Sequence, residues 1–438
     1  MDILRELKTR TEQVEVVDLQ DETTAVEYEA NRLKTSTVTE TKGTAVRVVR
    51  NGRLGFAASS DSQAVEKLAA NALESASYGD KISLSFPDAQ PAPQVATYDQ
   101  KIVDLSIPQL VEIGRQVLEV LLPVEPEARI NVRMKRSIQS LRIRNQSASE
   151  IAFQRSPLSI SAEIDCVHGD DILILYDQIG TTVWEEDYLL FARSLAEKLR
   201  RAKTITTIRS GNMPVLFSPS GSLALLLPLN EGLNGKNVYK GISPVASKIG
   251  EKLFDPKITL VDDGTLAGKF GSASYDDEGV PHRRSLLVEQ GVLRSFYFDL
   301  KTAVQMEAQS GQKYSSTGNA SRGLFYPPEP SPTNLLIQPG ETSLAEIIAG
   351  IDEGLLVEDL LGLGQGNIIS GAFSNPLGLA FKIEKGEIVG RVKDVSIAGN
   401  VYDLLKNVAA ISRESQWVYT TLCSPYILLP EMNVVSKS

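Results

Sequence analysis

The chain has 438 residues, with 45 Lys and Arg against 55 Asp and Glu, giving a formal net charge of −10. That balance excludes a general polyanion binder, which needs a basic face, and 42% apolar with 23% charged residues excludes bulk disorder. Two cysteines (Cys166, Cys423) and two histidines (His168, His282) exclude a disulfide framework, a four-cysteine or three-histidine zinc site and any helical His-Glu-x-x-His motif.

The stretch from Met1 through Lys8 has neither a basic nor an apolar leader region. The longest apolar run, Leu223–Leu229, is too short to span a bilayer. A cytoplasmic protein with no membrane attachment is expected. Glu12–Leu19 and Ala25–Leu33 alternate apolar and polar residues as short strands do. Thr44–Arg50 and Arg53–Ala58 flank Asn51-Gly52, the signal of a type I′ hairpin. A helix follows, capped by Asp61 or Ser62, with Val65, Leu68, Ala72 and Leu73 on one face. Pro87, Pro91 and Pro93 mark a linker. Ser106 and Gln109 form a capping box for a helix to about Leu122.

From Ile130 to Tyr176 the chain alternates as successive strands, closed by a helix from about Trp184 to Arg201. Beyond Ile205 it is richer in glycine and hairpins, including Arg284–Val288 with Leu293–Phe298 and Leu379–Glu384 with Glu387–Val392. Short helices are predicted at 300–308, 344–348 and 401–408. The class is α+β: an N-terminal α+β region of short strands and helices, then a mainly β region with short helices. The divisions fall at 1–86, a linker at 87–105, a middle subdomain at 106–204 and a β-rich domain at 205–438.

Asp276-Asp277-Glu278-Gly279-Val280-Pro281-His282 is the densest polar constellation. Its carboxylates and imidazole suit acid/base work or a hard cation, although a solvated turn set by Gly279 and Pro281 is the reading the sequence favours. The loop Ser315–Gly323 is rich in hydroxyls and glycine, and Thr317, Gly318 and Asn319 are candidates to hold a peptide backbone. Gly362, Gly364, Gly366 and Gly371 lack the spacing of a dinucleotide loop. Cys166 and His168, two apart at a strand end, read as structural.

In order and spacing, several stretches together resemble the TldD/PmbA family. They are Asp276–Pro281, the hairpin closing at Gly291, Ser316-Thr317-Gly318-Asn319-Ala320, Gly371-Ala372-Phe373-Ser374, Gly378–Glu384 and Val395–Asn400, with Gly43–Arg50 and Gly55-Phe56-Ala57 near the start. The resemblance implies two branches. In the TldD branch a helical His-Glu-x-x-x-His motif and a C-terminal cysteine hold a catalytic metal. The TldE/PmbA branch lacks the motif and partners the metal-bearing subunit. Anchored on Glu231-Gly232-Leu233-Asn234-Gly235, the motif positions fall at Leu226, Leu227 and Glu231, with Pro228 between them where it would interrupt a regular helix. Leucine neither ligates a metal nor polarises water, and Cys423 stands as a weak remnant of the cysteine ligand.

The resemblance therefore implies a TldE/PmbA-type subunit acting on unfolded peptides or peptide precursors. No cofactor is expected in this chain, zinc is expected only in a TldD-like partner, and no direct nucleic-acid contact is expected. A homodimer is the other assembly. The competing readings are a homodimeric peptide-binding scaffold, and a self-sufficient hydrolase using Asp276, Asp277, Glu278 and His282.

Overall fold

The computed structural model describes residues 2–147 and 150–437. Met1 and Ser438, the outer limits of the ranges above, lie outside the described residues. The α+β class holds. Among the described residues one sheet has seven strands and a second has twelve.

The N-terminal sheet is antiparallel. Its order is Arg53–Ser59, Arg32–Arg50, Gln13–Glu29, Arg129–Asn145, Leu158–His168 and Asp171–Thr181, and Glu150–Arg155 pairs with Arg129–Asn145. Segments 1–86 and 106–204 thus share one sheet through the ladder of Gln13–Glu29 on Arg129–Asn145. The two short strands expected at Glu12–Leu19 and Ala25–Leu33 are instead one strand, Gln13–Glu29, and the beginning of the next. The turn between them is Ala30-Asn31, both at positive φ. It is pinned from a distance: the Asn31 side chain bonds Ala128 O and Ile130 N, and Ala30 N donates to Asn131 Oδ1.

The hairpin at Asn51-Gly52 forms as its turn chemistry requires, with φ of 52° and 66°. The following helix, Val65–Tyr78, starts at Ala64 with no side-chain cap; Asp61 bonds Gln63 N instead. Ser106 and Gln109 do form their capping box on Ile107–Leu121. That helix and Leu190–Ala202 lie on the sheet over Val26, Ile130, Val132, Ile160 and Leu175. The second helix begins later than the sequence reading placed it, because Trp184 N is held by Asp99 Oδ2 and the Trp184 ring packs on Tyr188.

The C-terminal sheet is mixed. Gly211–Phe217 runs at its centre, antiparallel to Leu422–Ser436 and parallel to Glu353–Leu360. The chain leaves that central strand into the helix Leu223–Leu233. Pro228 does not break this helix, contrary to the expectation from its ring. The Pro228 carbonyl accepts a hydrogen bond from the Tyr402 hydroxyl at 3.1 Å, tying the helix to the short helix Val401–Leu404. Nearly every turn of Leu223–Leu233 is apolar, and Leu225, Leu226, Leu229 and Leu233 enter the largest core. Tertiary burial therefore holds a sequence that local rules mark as interrupted. Among the described residues no helix is long and apolar enough to cross a membrane.

Candidate functional site

Two places answer to the site residues read from the sequence. The first is the helix Leu223–Leu233. Leu226 is 2% exposed and packs into the core. Leu227 and Pro228 wall a cavity of about 450 Å³ together with Leu363, Ile368 and Phe373. The cavity's polar lining comes from Gln365, Ser374 and Asn375, and no imidazole, thiol or carboxylate lines it. Glu231 lies further along the helix, where its carboxylate accepts from the Asn237 side chain at 2.9 Å. Cys423 sits on the strand Leu422–Ser436, paired with Trp417 and Leu336. Burial pushes its thiol pKa up, opposed by Ser415 and Lys269. Two leucines, a committed glutamate and a thiol kept protonated do not fit a zinc ion, which takes deprotonated sulfur, imidazole or carboxylate. Among the described residues no three His, Cys, Asp or Glu side chains are placed to share a metal.

The second place is Asp276–His282, where the N-terminal sheet meets the C-terminal domain. Asp276 and Glu278 are each 1% exposed. One Asp276 oxygen accepts from Glu278 N and Val280 N, and the other from Ala320 N at 3.0 Å. Asp277 accepts from Arg322 N. Gly279 takes φ of 77°, so the turn reading applies at this position. Glu278 reaches out of the turn. One oxygen takes the Arg47 guanidinium and the other Leu300 N at 2.7 Å, the first amide of the helix Leu300–Ser310. Asp299 caps the same helix through Thr302 N. Both carboxylates thus meet the positive end of a helix.

Arg47 completes the structure. Its Nε and Nη2 form a paired contact with Glu15 at 2.8 and 2.7 Å, and its guanidinium lies 4.9 Å from the centre of the Phe86 ring. Glu15 also accepts from Arg322 at 3.0 Å. Burial dominates the electrostatics. It pushes Glu278 up to about 7, with Asp299 and Glu15 adding to the effect and Arg47 opposing it. Asp276 is pushed well above the usual carboxylate range, first by burial and then by Glu278. For Glu15 the two arginines outweigh the burial cost and hold the carboxyl below its ordinary value.

His282 does not join this cluster as an acid/base group. Its Nδ1 lies 2.7 Å from Gly318 O, so the proton sits on Nδ1 and is donated to the carbonyl. Burial lowers its pKa to about 4. The loop at Thr317, Gly318 and Asn319 is spent on the same junction. Thr317 bonds Phe298 N and O, Gly318 takes φ of 74° against Pro281, and Asn319 donates to Asp262 at 2.6 Å and to Ser331 O. Its polar groups serve the fold. Cys166 is buried, and His168 points outward beside Glu125.

Glu15, Arg47, Asp262, Asp299 and Arg322 were not singled out by the sequence. The one usable signal for the first two is register. Glu15 and Arg47 sit inside otherwise apolar runs that pair directly across the first two strands.

An apolar cleft thus lies beside the helix that follows the central strand, and buried charge joins the two domains. The PmbA/TldA metallopeptidase C-terminal domain matches residues 210–436, and domain 1 of the same family matches residues 15–76. The chain belongs to this PmbA/TldD family. A metalloprotease of Methanothermobacter thermautotrophicus is 26% identical over 427 residues, covering 94% of this chain and 90% of that protein. A metalloprotease TldD homologue of Haemophilus influenzae is 30% identical over 230 residues, covering 52% of this chain and 46% of that protein. The crystal structure of TldE from Thermococcus kodakarensis superposes with a TM-score of 0.88 at 23% identity, covering 99% of both chains.

Proposed function

We propose that this chain is the TldE/PmbA-type subunit of a two-component metallopeptidase. In this reading it shapes a chamber for unfolded peptides, and a TldD-like subunit supplies the metal. The observation that carries the reading is the lining of the cavity beside Leu227. It offers apolar side chains, amides and a hydroxyl, which can hold an extended peptide, and no imidazole, thiol or carboxylate to ligate zinc or move a proton at neutral pH. Zinc held by the partner would polarise the scissile carbonyl and activate water. The residues of this chain would position the peptide and exclude solvent: Leu363, Ile368 and Phe373 by apolar contact, Ser374 and Gln365 by hydrogen bonds to its backbone.

The titratable cluster at Asp276–His282 argues against a self-sufficient hydrolase. Each of its carboxylates is engaged by backbone amides or arginines, and the histidine is held neutral. The test is cleavage of an unstructured peptide by this chain, by a TldD-type protein from the same genome, and by their mixture. Cleavage that needs the mixture is expected. Cleavage by this chain alone, abolished by Asp277→Asn or His282→Ala, would overturn the reading.

A further inference from the structure

We infer that the cavity walled by Arg155, Asp277 and Arg322 is a binding site for a carboxylate, carried by a small apolar acid or by the C-terminus of a peptide. The cavity holds about 360 Å³ and lies between the N-terminal sheet and the residues Asp277 and 321–324. It adjoins a groove of about 1030 Å³, with which it shares Leu19, Gln20, Ser140, Leu141 and Phe153. Arg155 and Asp277 are half-buried, and the Arg322 side chain is 1% exposed. Arg322 donates from Nη1 to Glu15 and to Asp277 O. Its Nε and Nη2 are shielded from solvent and have no hydrogen-bond partner among the described residues. Arg155 donates from Nη2 to Phe270 O, and its Nε has no partner among them either. Buried donors without acceptors are rare in folded proteins and mark places where water, an ion or a ligand belongs.

The pattern of these donors selects the ligand. Nε and Nη2 form one edge of a guanidinium. By that edge Arg47 holds both oxygens of Glu15, and a carboxylate matches it with two parallel hydrogen bonds. In Arg322 the same edge is unpaired. It is shielded, so an entering acid meets Arg155 first and the Arg322 edge on a turn of its guanidinium. Arg155 is a second cation with little counter-charge. Burial lowers its pKa and Asp277 opposes, but burial pushes Asp277 itself up. Asp21, the other carboxylate of the lining, is spent on Thr23 and Gln139. The walls limit the kind of anion. Leu19, Leu141, Phe153 and Leu324 favour an apolar body. Asp21 and Asp277 oppose a second negative charge, which disfavours a phosphate dianion. A monocarboxylate with an apolar side chain meets every condition. The adjoining groove, with Gln20, Ser140 and Gln154, has room for the rest of a peptide.

The site rests on these arginines and not on the cavity beside Leu227, so it and the functional proposal stand or fall separately. The test is fluorescence anisotropy of the full chain with a labelled, unstructured peptide ending in leucine, as the free acid and as the C-terminal amide. The free acid should bind about tenfold tighter. Ser321→Glu sets a like charge on an exposed residue of the wall, and should remove that preference with an unchanged melting temperature. Arg155→Lys keeps the charge but loses the fork, and should weaken the free acid about tenfold; if that variant does not fold, Ser321→Glu decides. Competition by N-acetyl-leucine names the source. Displacement at the peptide's own affinity assigns a small acid, and displacement only at far higher concentration assigns a peptide end. Equal affinity for acid and amide, or a preference that survives Ser321→Glu, would overturn the inference. So would displacement by inorganic phosphate as effective as that by N-acetyl-leucine.

Discussion

The helix Leu223–Leu233 and the turn Asp276–His282 invert what a search for titratable groups expects. The turn holds three adjacent carboxylates pushed up by burial and one of the two histidines. Yet every one is committed to the fold, Glu278 by reaching Arg47 in the N-terminal sheet and the others by backbone partners nearby. The helix lines a cavity and carries apolar side chains where the resemblance puts metal chemistry. Perturbed ionisation marks burial first, and becomes catalysis only where a group is left free to meet a substrate. Here buried charge is a fastening and the open cleft is chemically quiet.

The comparison breaks most severely at Arg47. Arg47→Met leaves Glu15 and Glu278 buried without their shared cation, and should cost about 3–5 kcal/mol in urea unfolding. An effect below about 1 kcal/mol would mean that the network is not the fastening described here. Next comes Leu226→Ala on the helix. It removes fully buried apolar volume and should cost about 2–5 kcal/mol. It should leave the zinc content unchanged, because that position is core and not ligand.

The pH dependence sharpens the contrast within the turn. Glu278 in the folded protein keeps its proton to about 7, against 4.5 in the unfolded chain. The folded state binds more protons across that window, so this contribution to stability falls as pH rises from 4.5 to 7. His282 runs the other way. With its pKa lowered from 6.5 to about 4, the unfolded chain binds more protons, and stability rises with pH across that interval. Glu278→Gln should therefore leave a profile that climbs more steeply between pH 4.5 and 6.5, and His282→Gln one that climbs less. Parallel profiles for the two variants and the parent would count against both assignments. The smallest effect is expected at Tyr402→Phe. Losing the hydroxyl that bonds Pro228 O and Ile369 O should cost about 1 kcal/mol in thermal melts.

What the sequence disclosed followed from local chemistry. Asn51-Gly52 dictated its hairpin, and Ser106–Gln109 its capping box, because each device is complete within four residues. The turn at Ala30-Asn31 stayed hidden, since its partners lie near residue 130. Pro228 misled for a related reason: burial of four leucines outweighs one lost helical bond. At the candidate site the absence of imidazole at Leu226 and of carboxylate at Leu227 was legible. The commitment of Asp276, Glu278 and His282 to the fold was not, because Arg47, Ala320 and Gly318 reach them from other parts of the chain.

The central claim is that this chain supplies shape to a peptidase while its partner supplies metal. Zinc titration of the purified chain, followed by native mass spectrometry after buffer exchange, tests it most directly. The account predicts a spectrum without retained zinc, before and after Cys423→Ser. One zinc per chain, lost on Cys423→Ser, would contradict it.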